Sequence, residues 1–231
     1  RNIEHNMADL AAQVAANNTG IVEINSMIEQ FGIETVHSYM NHVQDNAEEC
    51  IRNAIVNLRE GKYEYELDNG EFIRVKITID KIKREATIDF TGTAPKNPFN
   101  YNAPMAVCHA VILYVFRTLV GSNIPLNEGC FKPLNIIIPN NAMINAKYPS
   151  AVIAGNTEVS QLTCNALFGA LGIIAGSQAT MNNFIWGNDK IQNYETICGG
   201  TGAGPNFHGT SAVQTHMTNT RSTDPEILEA R

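Results

Sequence analysis

The stretch Tyr63-Glu64-Tyr65-Glu66-Leu67-Asp68-Asn69-Gly70-Glu71-Phe72-Ile73-Arg74-Val75-Lys76-Ile77-Thr78-Ile79 decides the fold of this chain. Its two halves alternate or are rich in β-branched residues, the pattern of half-buried strands. Between them, Asp68-Asn69-Gly70 is a hairpin turn, because Asn-Gly supplies the left-handed backbone that a tight turn requires. A third run over 86–90 follows the basic group Lys81-Ile82-Lys83-Arg84, which reads as another hairpin tip. The prediction is a three-stranded antiparallel meander, with 61–92 as its unit.

Upstream the hydrophobic period changes from two to between three and four. Apolar residues recur at Ile3, Met7, Leu10 and Val14, then at Ile21, Ile24, Ile28 and Phe31. A second run has Val36, Met40, Val43, Ala47, Cys50, Ile51, Ala54 and Leu58. Such steps place each set on one face of a helix. Gly32 separates the runs, so 1–60 is expected to fold as an antiparallel helical hairpin. The polar interlude Asn17-Asn18-Thr19-Gly20 interrupts the first stripe and marks a bend, or a place where something else covers the helix.

Downstream, 93–231 reads as a mixed region. A Pro-, Asn- and Gly-rich loop over 91–104 leads into a buried helix over about 103–119, with Gly121 near its end. Short strands are expected over 133–138 and 151–154, and a helix from Gly155 to about 175. Strands over 184–186 and 194–197 then enter a glycine-dense loop. The fold class is α+β: helical hairpin, meander, then helices and short strands ending in that loop, all in one compact fragment.

Composition narrows the function classes. The 231 residues carry 16 basic and 23 acidic side chains, a net charge of −7, and the basic residues are scattered. That excludes a general nucleic-acid or anionic-membrane surface, which needs clustered Lys and Arg. The apolar run 105–116 is broken by His109 and is too short to span a bilayer. No charged-then-apolar signal segment opens the chain. The five cysteines (Cys50, Cys108, Cys130, Cys164 and Cys198) form no CxxC pair, as expected of free thiols in the cytoplasm. The absence of an initiator Met before Arg1 and the helix-like start just before Arg231 suggest a piece of a longer polypeptide.

Chemistry-bearing residues concentrate late in the chain. Cys198-Gly199-Gly200-Thr201-Gly202-Ala203-Gly204-Pro205 runs into His208, then Thr215-His216-Met217-Thr218-Asn219-Thr220-Arg221 and Asp224-Pro225. A P-loop needs Lys after its second Gly, whereas Pro205 follows Gly204, so that mechanism is excluded. The dinucleotide fingerprint is one residue short and cannot open a helix there. Two readings remain open: a tight packing turn, or a loop lining an active site or subunit contact. His208 and His216 with Asp224 are conceivable metal ligands, but their spacing matches no helical ligand pair such as HExxH, and no metal is assigned to them. His5, His37, His42 and His109 are read as structural. Arg221 can clamp a carboxylate, or pair with Asp224 at a helix start. Cys198 has no base fixed beside it in sequence. Ser160 and Gln161 stand at a predicted helix N-terminus, where ordinary capping explains them.

Several of these landmarks, in this order, resemble the hydantoinase B/5-oxoprolinase family. They are Asp89-Phe90-Thr91-Gly92-Thr93, Asn102-Ala103-Pro104, Ile124-Pro125-Leu126-Asn127-Glu128-Gly129-Cys130 and Gly155-Asn156-Thr157-Glu158-Val159-Ser160-Gln161. Met181-Asn182-Asn183, Tyr194-Glu195-Thr196, the glycine loop, His208-Gly209-Thr210-Ser211 and the run from Thr215 to Arg221 complete the set. The resemblance implies the hydrolytic B-type half of an ATP-dependent enzyme that opens 5-oxoproline or a hydantoin. It also implies an oligomer whose A-type partner half binds ATP with Mg2+, and a divalent metal in the upstream part rather than in this fragment. Related members act as ketone carboxylases, and a subunit-interaction scaffold is the alternative of another class. Within that frame the catalytic candidates are His216, Arg221, His208 and Asn219. Gly199, Gly200, Gly202, Gly204 and Thr215 form the substrate-binding or interface loop.

Overall fold

The computed structural model describes residues 3–217. Two helices, α1 (Ile3–Phe31) and α2 (Ile33–Ile55), meet at Gly32, whose φ of 81° breaks the helical path and turns the chain. The expected interruption at Asn17-Asn18-Thr19-Gly20 is absent. α1 runs through it unbroken, and the Thr19 hydroxyl donates to the Ala15 carbonyl one turn back. None of α1's residues is buried, whereas α2 buries Val36 near the turn and Ala47, Ile51 and Ile55 in the core of the body.

The meander forms as the alternation predicts: β1 (Gly61–Glu66), β2 (Phe72–Asp80) and β3 (Glu85–Asp89) pair antiparallel in sequence order. The register sets Tyr63 against Val75 and Ile77 against Ile88, so Ile73, Val75, Ile77, Ala86 and Ile88 all face the core. At the first turn only Gly70 adopts positive φ, at 79°. Asn69 acts differently from expectation: its side-chain oxygen accepts from the Glu71 N–H.

The second turn is pinned to α2 by charge. The Arg52 guanidinium donates to the carbonyls of Lys83 and Arg84, and Arg84 forms a two-pronged pair with Glu49 at 2.7 and 3.0 Å. Fork-on-fork pairs of this kind fix geometry as well as supplying attraction. The basic group at 81–84 is thus partly spent on an internal contact.

Two expectations are corrected downstream. The apolar run after Pro133 becomes β4 (Leu134–Ile137), which pairs parallel with β3, so the sheet is four-stranded and mixed in the order β1-β2-β3-β4. The run 151–154 is not a strand, because its backbone groups are used elsewhere: the Asn102 amide donates to the Ala151 carbonyl and Ala154 N–H donates to Asn100. Asn102 is fully buried and its amide also engages Asn97 and Phe99, so it staples the 97–102 loop to the chain at Ala151.

Helix α3 (Met105–Thr118) begins after Pro104, whose fixed φ suits a helix start. A π-turn (Gly155–Val159) leads into α4 (Ser160–Leu171), which ends earlier than expected, at Gly172 in the left-handed conformation. α4 packs on β1 and β2 and against α3, and every residue from Ser160 to Leu171 except Gly169 is buried. A separate hairpin, β5 (Asn183–Gly187) with β6 (Gln192–Thr196), delivers the chain to the glycine loop.

Close approach of β1 to α4 depends on Gly61, where an added Cβ would lie 1.9 Å from the Ala170 carbonyl oxygen. Gly61→Ala in the full-length protein is expected to lower stability by about 1–3 kcal/mol, the usual cost of overpacking. Thermal unfolding checks this, and an unchanged midpoint would show that the strand moves freely there.

Candidate functional site

The site is built around the first two turns of α4. Buried polar side chains require partners, and those on α4 find them in loops from distant parts of the chain. Gln161 donates to the Thr215 carbonyl and accepts from the Met217 N–H, at 3.4 and 3.3 Å. Asn165 clasps Ser177, accepting from its N–H and donating to its carbonyl. Glu158, in the π-turn, accepts a 2.7 Å hydrogen bond from the Thr180 hydroxyl. The π-turn places Glu158 at the wall of the cleft instead of continuing the helix face, a distortion common at functional sites.

That cleft, of about 550 Å3, lies between the β1–β2 hairpin and α4. Tyr65, Asp68, Tyr101, Glu158 and Thr180 line it. Burial, reinforced by the charge of Asp68, pushes the Glu158 carboxyl above the usual carboxylate range, although the Thr180 hydrogen bond works against the shift. Gln178 and Thr180 also line a small polar pocket on the glycine-loop side, together with Gln161, Asn182, Gly199, Gly200 and Thr215.

The glycine loop folds back on itself as a narrow ribbon. Gly200 bridges Ser211, Gly204 bridges Phe207, and Thr201 exchanges hydrogen bonds with Thr210. No glycine in it has positive φ; close approach explains them instead. A Cβ on Gly202 would sit 1.9 Å from the Ala175 carbonyl oxygen, and one on Gly200 would lie 2.8 Å from that of Thr210. At Gly204 a Cβ would meet the Phe207 ring. Gly199 differs, because its nearest neighbours are the side chains of Gln178 and Asn182 in the polar pocket. Close packing therefore accounts for Gly202 and Gly204, whereas Gly199 and Gly200 line the small polar pocket. The N–H groups of Thr201 and Gly204 are engaged within it.

His216 lies where the ribbon returns to the body. Its φ of 65° is in the left-handed region, a strained conformation for a side-chain-bearing residue. The ring sits between Tyr114, edge-on at 5.9 Å, and Phe168 at 5.3 Å, and its Nδ1 is 3.4 Å from the Tyr114 hydroxyl. Nε2 is buried and has no partner among the described residues. Desolvation lowers the imidazole pKa to about 4, so the ring is neutral at neutral pH.

The sequence-predicted residues do not all converge. Thr215, Gly199 and Gly200 share one pocket, His216 lines a separate cavity of about 450 Å3 with Tyr114, Arg117 and Met217, and His208 is exposed on the far limb of the ribbon and lines none of these cavities. Asn219 and Arg221, like Asp224, lie outside the described residues. Cys198 is buried, and burial raises the Cys108 thiol to about 12. Among the described residues no group of three His, Cys, Asp or Glu is placed to hold a metal ion, and no helix is long and apolar enough to cross a membrane. Sequence reasoning passed over Tyr114, Thr180 and Glu158 as site residues and treated Gln161 as a cap. The available signal was polarity inside otherwise apolar helices: Tyr114 in α3, Gln161 and Asn165 in α4.

Fold and site together define an α+β domain whose buried α4 organises a polar cleft beside a glycine ribbon. The Hydantoinase B/oxoprolinase family model matches residues 1–231, and the chain belongs to that family. Over its whole length it is 45% identical to "5-oxoprolinase 1" of Arabidopsis thaliana and 41% identical to "5-oxoprolinase" of Dictyostelium discoideum. It spans 20% and 19% of the lengths of those proteins. Its fold is shared with the ATP-dependent caprolactamase of Pseudomonas jessenii (TM-score 0.78, 20% identity, 100% of this chain and 44% of that one). Acetone carboxylase shares it as well (TM-score 0.70, 16% identity, 90% of this chain and 32% of that one).

The His216 shift has a definite sign. The unfolded chain takes up the proton near pH 6.5 and the folded one only near 4, so stability is lost as pH falls through that window. Titration of the His216 ring by NMR in the full-length protein is expected to show a midpoint well below 6. A midpoint at the ordinary value would place the ring in water.

Proposed function

We propose that this chain is part of the hydrolytic B-type half of an ATP-dependent cyclic amidohydrolase that opens 5-oxoproline to glutamate. The observation that carries the reading is the 45% identity to a 5-oxoprolinase over the whole chain. A five-membered lactam is hard to open, and phosphorylating its oxygen creates a leaving group, which is the need for ATP. Pro205 stands where a P-loop needs Lys, and we assign ATP with Mg2+ to the A-type partner half, within an oligomeric, cytoplasmic enzyme. Any divalent metal is assigned to the part upstream of this chain.

This chain's residues then receive the ring. The 550 Å3 cleft has room for a small polar ring, and Tyr65, Tyr101, Gln178 and Thr180 in its wall offer donors and acceptors to it. Glu158, whose carboxyl holds its proton closer to neutrality than an exposed glutamate, is suited to move a proton to or from the ring nitrogen or an attacking water. Neutral His216 offers a desolvated imidazole from the cavity it shares with Tyr114 and Met217, and Thr215, Asn219 and Arg221 belong to the same segment of sequence. His208, exposed, is assigned to contact with the partner half. A second reading, an interaction scaffold with its chemistry elsewhere, draws on the unburied α1.

The test is phosphate release by the full-length enzyme offered 5-oxoproline, a hydantoin and acetone in turn. Turnover with 5-oxoproline is expected to be the fastest. Glu158→Gln, which preserves the Thr180 contact, and His216→Ala are each expected to lower kcat by about 10²–10⁴, the range for lost acid–base catalysis, with folding intact. Unchanged kinetics in both variants, or turnover with acetone alone, would overturn the assignment.

A further inference from the structure

Glu158 stands in the cleft wall as part of a two-rung contact with the loop 175–182. The Met181 N–H donates to the Thr157 carbonyl at 3.0 Å, and the neighbouring Thr180 hydroxyl donates to Glu158 Oε1 at 2.7 Å. Thr157 and Glu158 are adjacent in the π-turn, so the backbone rung fixes how far the hydroxyl stands from the carboxyl. The loop is itself held at both ends. Asn165 clasps Ser177, and the Ile197 N–H donates to the Asn182 carbonyl. Within it Ala179 and Asn182 have φ of 65° and 52°, left-handed conformations that are strained for residues with a Cβ. Such outliers persist only where the surroundings impose them, and these two flank Thr180.

A threonine hydroxyl has one proton and two lone pairs. The Asn182 N–H donates to Thr180 Oγ1 at 3.1 Å and so occupies one lone pair. Among the described residues the hydroxyl proton has one acceptor, Glu158 Oε1, and Glu158 Oε2 has no partner. Were Oε1 to take up a proton, the half-buried Thr180 hydroxyl would lose that acceptor. The two carboxyl oxygens are therefore unequal: one is held, the other is free in the cleft wall. The donated bond also favours the ionised carboxyl, against burial and the charge of Asp68. Tyr65, Glu66, Asp68 and Tyr101 are the other titratable groups lining the cleft.

We propose that Thr180 is a positioning residue that holds Glu158 Oε1, so that the proton Glu158 exchanges with the ring nitrogen or a water is carried on Oε2. This rests on the reading of Glu158 as the acid–base group and says which of its oxygens does the work. Thr180 acts only through that carboxyl.

The experiment measures kcat and KM of the full-length enzyme with 5-oxoproline against pH, for Thr180→Val, Thr180→Ala and Thr180→Ser, alone and combined with Glu158→Gln. Valine keeps the shape of threonine, and alanine adds no apolar bulk. Both are expected to lower kcat by about 10- to 100-fold, the scale of a misplaced catalytic group, with KM little changed. Both should also move the Glu158 limb of the pH profile to higher pH, because the bond that favours the carboxylate is gone. Serine should restore both properties. In the Glu158→Gln background the valine change should add no further loss. An unmoved limb, an effect on KM alone, or full additivity with Glu158→Gln would overturn the proposal while leaving Glu158 in its role. Unchanged kinetics in Glu158→Gln itself would overturn that role, and this proposal with it.

Discussion

Everything near the cleft depends on one constraint: α4 is buried along almost its entire length while carrying Ser160, Gln161, Thr163 and Asn165. Inside a protein an amide without a partner costs about 1–3 kcal/mol, so each of these groups must recruit one. Ser160 and Thr163 turn back onto the preceding turn, donating to the carbonyls of Asn156 and Val159. Gln161 and Asn165 reach outward instead, and the backbones they capture belong to the two loops that wall the polar pocket. A solvent-exposed helix with the same residues would hold neither loop. Burial is therefore what turns ordinary amides into positioning groups.

The glycine ribbon follows from the same geometry. For segment 199–204 to lie against the 175–182 loop that Asn165 holds, Gly202 must admit the Ala175 carbonyl at a distance no side chain tolerates. Ala175 N–H then donates to the Ala203 carbonyl, closing the contact. The glycines serve backbone-to-backbone packing, and through it they bring Gly199, Gly200 and Thr215 to the pocket that Gln178 and Asn182 share. His216, in its left-handed conformation, is the residue at which the returning chain re-enters the body between Tyr114 and Phe168.

What was legible in the sequence was local. Period-two alternation and Asn-Gly located the β1–β2 hairpin because both signals act within a few residues, and the hydrophobic period and Gly32 likewise located α1 and α2. The parallel pairing of β4 with β3 was not legible, since nothing in Leu134-Asn135-Ile136-Ile137 names a partner more than forty residues earlier. The run 151–154 misled because its apolar residues look like a strand, while the fate of its backbone depends on the remote Asn102. Glu158, Gln161 and Tyr114 escaped for a related reason. A polar residue in an apolar helix becomes informative only once its neighbours in space are known. Family landmarks also divide on inspection: Asn102-Ala103-Pro104 is accounted for by a loop staple, whereas Gly155-Asn156-Thr157-Glu158 opens onto the cleft.

The central claim is that the buried amides of α4 hold the segments forming the candidate site. Hydrogen exchange on full-length protein carrying Gln161→Leu tests it most directly, because leucine fills a similar volume and removes the captured hydrogen bonds. Peptides covering 211–217 should then exchange faster, while those covering the sheet at 61–90 keep their protection. Unaltered exchange at 211–217, or an equal rise across the sheet, would contradict the account.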